Sequence, residues 1–179
     1  MRFYLLILFA LVSGYGASIE PGARPDPNLT PGAALEVTKD DVCTVGYTKN
    51  VRNVPVAVKR RVYEEYGIEY VPRAYEVDHL IALELGGSNS IRNLWPESYS
   101  LMWNAHVKDA LEGRLHRFVC DGSISLETAQ KAIAKNWIDA YQRYFHTDLP
   151  THARESKTTP IGSLTVLHCR VSSWSLTNV

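Results

Sequence analysis

Residues 75–97 read Tyr75-Glu-Val-Asp-His-Leu-Ile-Ala-Leu-Glu-Leu-Gly-Gly-Ser-Asn-Ser-Ile-Arg-Asn-Leu-Trp-Pro-Glu97 and hold the densest chemistry in the chain. β-Branched and aromatic residues stand on both sides of Asp78-His79, so residues 70–85 read as two short strands meeting a turn at Gly86-Gly87. Residues 88–96 then read as a loop. Neighbouring side chains on a strand point to opposite faces. Asp78 and His79 therefore serve one site only where the strand bends or ends, and the glycines nearby permit that. Asp78 is a hard oxygen ligand suited to a divalent cation, and His79 is the side chain best able to take a proton near neutral pH.

Helices are expected on either side of this stretch. Upstream, Pro55 suits a first helical turn, Val58, Val62, Tyr63 and Tyr66 recur at helical spacing, and Gly67 stops the run. Lys59, Arg60 and Arg61 read first as its solvated face, with a DNA-facing patch as the alternative. Downstream, a helix is predicted from about residue 100 to 119, ending near Gly122. Asn104, Lys108, Glu112 and His116 recur every four residues and share one of its faces. A last helix starts at Ser125 as N-cap and carries Leu126, Ala129, Ile133, Trp137 and Tyr141 at core spacing.

The 179 residues suit one modest domain with appendages, and 45% apolar with 21% charged residues is the composition of a globular protein. Nineteen basic and nineteen acidic side chains cancel. This counts against a dedicated DNA-gripping protein, though not against an enzyme with a local basic surface. Arg2, the apolar run of residues 3–12 and the small residues 13–18 read as an export signal, too short to span a membrane. The expected organisation is a signal over 1–18, a Pro/Gly-rich linker or mobile arm over 19–41, a folded domain over 42–148 and a poorly ordered tail over 149–179. The mature form is expected to be secreted, extracellular or periplasmic, with no membrane attachment. Of Cys43, Cys120 and Cys169, the first two bracket the folded region and are the preferred disulfide; C-x-x-C pairs of the kind that build zinc sites are absent.

Asp78-His79, Leu85-Gly86-Gly87, Asn93-Leu94 and a following helix with Asn104, His106 and Lys108 together resemble the HNH endonuclease family, the ββα-metal nucleases. The Gly-Gly-Ser-Asn and Asn-Leu-Trp-Pro-Glu segments, with Cys43 to Thr48 and Arg52 to Pro55 ahead of them, are similar to a group of small exported HNH proteins. The resemblance covers roughly residues 42–144.

The resemblance implies a single α+β domain with a ββα-metal core, flanked by helices and stapled by one disulfide. It implies a secreted, metal-dependent endonuclease that hydrolyses phosphodiester bonds in DNA, more than in RNA. His79 matches the general base, Asp78 a metal ligand, and Asn93 the amide that ties the loop and orients the histidine. Asn104 and His106 compete to complete the metal site, and Lys108 is placed to hold a phosphate. Mg²⁺ is the cation best matched to an oxygen-rich site, with Mn²⁺, Zn²⁺ or Ni²⁺ favoured if His106 is a ligand. His116 reads as structural. The rival expectation is a catalytically inactive HNH-like module that binds nucleic acid or protein.

Overall fold

The computed structural model describes residues 22–151. The signal expected over 1–18, the start of the expected linker, and the tail from residue 152 onward, with Cys169, His152 and His168, lie outside them.

The described chain is α+β. Helices α1 (Lys39–Val42), α2 (Tyr47–Val51) and α3 (Val56–Glu65) precede strand β1 (Tyr75–His79). Strand β2 (Leu94–Ser98) and the long helices α4 (Ala105–Cys120) and α5 (Leu126–Phe145) complete it. Thr38 and Asp41 form a reciprocal capping box on α1, and Pro55 stands as N-cap of α3. Ser125 caps α5 through its hydroxyl, which accepts from the Thr128 N–H, as the sequence predicts. Asn136 breaks the helical dihedrals inside α5 and re-caps it, its amide oxygen accepting from the N–H groups of Ile138 and Asp139.

β1 and β2 form a two-stranded antiparallel sheet in which Asp78 faces Trp95 and His79 faces Leu94. This corrects the expected arrangement of two strands before Gly86. Only the first strand lies there, and the second begins inside the expected loop and runs two residues past its end. The reason is physical. All five residues of β2 are buried, so no apolar–polar alternation marks it, and Pro96 argues against a strand until the sheet is known to have only two members.

Between the strands the chain makes two short 3₁₀ turns, Leu83–Leu85 and Ile91–Asn93. Gly87 is required where they meet. A Cβ built there would lie 1.7 Å from the Ile81 carbonyl oxygen, closer than any side chain allows.

The expected linker is anchored along residues 22–41. Ala23 and Thr30 are each 1% exposed. The Trp137 indole N–H donates to the Ala23 carbonyl at 3.0 Å, and the Thr30 hydroxyl donates to the Leu94 carbonyl at 2.8 Å. Proline bars a continuous ladder but not these single bonds, which hold the arm over the core.

That core joins α4 and α5 through Leu111, Leu115, Val119, Ile133, Trp137 and Tyr141, all fully buried. Trp103 packs edge-on against both Trp137 and Tyr141. A disulfide joins Cys43, the C-cap of α1, to Cys120 at the end of α4, with Cα atoms 5.7 Å apart. Among the described residues no helix is long and apolar enough to cross a membrane.

Candidate active site

Asp78 and His79 are the last two residues of β1, and the strand's pleat sends their side chains to different partners. His79 is 4% exposed. Its Nε2 lies 2.9 Å from the Asn89 side-chain oxygen, while the Asn89 amide nitrogen donates to the Val51 carbonyl at 2.7 Å. A carbonyl only accepts, so the second bond fixes the orientation of the Asn89 amide and presents its oxygen to the ring. Nε2 must then carry the proton, and Nδ1 is left with the lone pair. Burial lowers the His79 pKa, against the opposing pull of Asn89 and Asp78 and with the help of the Lys108 and Arg52 charges. The ring is therefore neutral and able to accept a proton at physiological pH.

Asn93 ties the loop. Its amide nitrogen donates to the carbonyls of Ile81 (3.0 Å) and Ser88 (2.9 Å), and its oxygen accepts from the N–H groups of Ile81 (2.9 Å) and Ala33 (3.2 Å). It is fully buried, with both ends of the amide occupied. The orientation of the histidine, which the resemblance implies for Asn93, is performed by Asn89.

On the other side of β1, Asp78 meets α4. The face bearing Asn104, Lys108, Glu112 and His116 turns inward. The Lys108 nitrogen donates to Asp78 Oδ2 at 2.5 Å, to the His79 carbonyl at 2.7 Å, and to Glu112 Oε1. Its side chain is completely buried. Lys108 is thus enclosed inside the protein and its three donors are all in use, which differs from the expected phosphate contact. Burial alone would lower its pKa; the carboxylates of Asp78, Glu112 and Glu97 outweigh it and hold the ammonium charged. For Asp78 burial is likewise outweighed, by the Lys108 charge and hydrogen bond, so its carboxylate stays ionised.

Two more acids complete the cluster. Glu97, 1% exposed on β2, has no N–H or O–H donor at either oxygen, and burial beside Asp78 pushes its pKa well up. A protonated Glu97 donates to Asp78 and thereby fills one of its own vacancies. Burial also raises Glu112, to about 8, despite the Lys108 ammonium beside it. Within the cluster Asp78 is thus the acid held ionised beside Lys108, while Glu97 and Glu112 keep their protons to higher pH than an ordinary glutamate.

The other expected ligands do not join Asp78. Asn104 is the N-cap of α4, its oxygen accepting from the Val107 N–H and its nitrogen donating to the Leu101 carbonyl. The His106 side chain is 70% exposed on the outer side of α4, its ring 5.4 Å from that of Tyr99 and its Nδ1 3.9 Å from Asp109. The residues Asp78, Asn104 and His106 therefore do not fit a common cation. Elsewhere, Cys43, His116 and Cys120 bring ligand-type atoms within 4.8 Å of one another, a group able to hold a metal once its sulfurs are free. In the oxidised form both sulfurs are spent on each other, and the His116 Nε2–H donates to the Val42 carbonyl.

Sequence reasoning missed Asn89, Glu97 and Glu112 as members of the site. It also missed Arg52, whose charge acts on both His79 and Asp109. Arg52 lines a groove of about 900 Å³ with Lys59, Arg60, Tyr63 and Tyr75, alongside β1. Each had a signal: Asn89 closes the Gly-Gly-Ser-Asn segment, Glu97 ends the quoted stretch, Glu112 lies on the four-residue line, and Arg52 opens the Arg-Asn-Val-Pro segment. Compared with known proteins, the chain matches no family model, no curated protein and no solved structure.

Proposed function

We propose that this chain is an exported endonuclease of the HNH type, hydrolysing phosphodiester bonds in DNA more readily than in RNA. The observation that carries the reading is the His79 imidazole, kept neutral by burial and given Nδ1 as its acceptor by the Asn89–Val51 relay. The order β1, loop, β2, α4 around the Asp78-His79 pair supports it as a ββα core.

Cleavage needs a water made nucleophilic, in-line attack and neutralisation of charge at phosphorus. Nδ1 of His79 takes a proton from water as its oxygen attacks phosphorus. The bond to the leaving oxygen breaks, and a solvent proton caps that oxygen. A largely buried ring suits a base that works on a water molecule rather than one that grips the substrate. Arg52, charged and exposed near the ring, is the group best placed to draw in the phosphate. Because the expected ligands do not assemble, no step here passes through a metal. Export rests on the sequence signal together with the Cys43–Cys120 disulfide.

The rival reading, an inactive binding module of the same shape, draws on one observation: the Asp78 oxygen expected to face a cation is taken by Lys108. A plasmid-cleavage assay separates the two. The purified protein should nick or linearise DNA, and His79→Ala should lose about 10²–10⁴-fold in rate while keeping its circular-dichroism spectrum. A wild type that binds DNA yet never cuts it, with Mg²⁺, Mn²⁺ or Zn²⁺ supplied, would favour the module.

A further inference from the structure

We infer that the Lys108 ammonium is a built-in cation, occupying the position beside Asp78 where a divalent ion is otherwise expected, so that the Asp78 cluster takes up no metal. The inference goes beyond the nuclease reading and stands without it.

The geometry carries it. An ammonium has three N–H donors, and here each has its acceptor: Asp78 Oδ2 on β1, the His79 carbonyl at the strand's end, and Glu112 Oε1 one turn along α4. Hard oxygens from a strand end and a facing helix are the ligands that Mg²⁺ or Mn²⁺ would choose. The nitrogen sits among them with no exposure to solvent. A metal ion entering this cluster would have to expel a buried charge already satisfied on three sides. Asn104 and His106, the other residues expected to hold the ion, are committed to a helix cap and to the outer surface.

Lys108 touches no substrate in this arrangement, since its nitrogen is enclosed. It is a positioning residue. By gripping the His79 carbonyl and Asp78 together it fixes the end of β1, and with it the backbone that carries the imidazole.

The test is Mn²⁺ uptake, read from the loss of the free-ion electron paramagnetic resonance signal. It is run on wild type, Asp78→Asn, Glu112→Gln and Lys108→Ala, beside cleavage in EDTA. Wild type should take up no more Mn²⁺ than Asp78→Asn or Glu112→Gln, and any cleavage it shows should persist in EDTA within about twofold. Lys108→Ala leaves three carboxyls around an emptied position and should gain one Mn²⁺, with a melting temperature that rises on adding the ion. One equivalent of Mn²⁺ bound by wild type and lost in either carboxyl variant overturns the inference, as does a folded Lys108→Ala that gains none. If Lys108→Ala does not fold, the comparison of wild type with the two carboxyl variants decides alone. A wild type inert in every cleavage buffer defeats the nuclease reading and leaves the Mn²⁺ result to judge this one.

Discussion

The Nε2 of His79 lies 2.9 Å from the side-chain oxygen of Asn89, and that bond sets which ring nitrogen carries the proton. Asn89→Ala removes the bond while leaving the ring in place. A hydrogen bond worth about 1–1.5 kcal/mol to ring orientation corresponds to roughly a tenfold loss of kcat. Asn89→Asp keeps the acceptor and adds a charge that raises the histidine's pKa. It should retain more activity than Asn89→Ala at pH 8 and lose more of its own activity on going to pH 6. Initial rates at the two pH values check both statements.

Burial lowers the His79 pKa below its ordinary 6.5. A base works only when deprotonated, so kcat/KM should fall on the acid side with a midpoint under 6.5, the direction opposite to that expected of a histidine paired with a dominant carboxylate. A rate profile between pH 4.5 and 8 measures it, and a midpoint above 7 would show that the ring is not the neutral, buried group described.

Asn93 satisfies four backbone groups from a fully buried position. Asn93→Ala strands them together and should cost about 3 kcal/mol or more of stability, even though its amide makes no bond to the His79 ring. Urea denaturation gives the value. A variant as stable as wild type but catalytically dead would assign Asn93 to chemistry instead.

Glu112 titrates at about 8 in the folded protein and near its ordinary 4.5 when unfolded, and Glu97 is shifted the same way. A carboxyl raised on folding gives its full stabilisation below 4.5 and loses it as pH rises through the folded value. His79 blurs the lower part of that range, because its stability contribution fades as pH falls below 6.5. The clean window is pH 6.5–8, where stability should decline, and Glu112→Gln should flatten the decline. Denaturation midpoints at half-unit steps across that window supply the comparison.

Much of the helical frame was legible from spacing alone. Ala129, Ile133, Trp137 and Tyr141 recur every four residues behind a serine cap, and all four are fully buried. The same spacing grouped Asn104, Lys108, Glu112 and His116, yet periodicity says which residues share a face and not which way it turns. Only the position of β1 decides that Lys108 points inward. Strand β2 escaped notice because burial on every residue erases the alternation that marks a strand at a surface. The choice between Asn89 and Asn93 was equally closed to sequence. Both are amides of one loop, and Val51, the carbonyl that orients Asn89, is 38 residues away along the chain.

Lys108 binds one partner four residues ahead of it and another thirty residues behind. While helix and strand are apart, its charge and the carboxylates keep their water; once they meet, that water is gone and only the full set of bonds replaces it. A half-docked α4 would hold a dehydrated ion with missing acceptors, a state far above either end point. Closure at this seam is therefore all-or-none. A fault in any one of these side chains should surface as fewer assembled molecules, each of normal quality, rather than as a uniformly weakened population.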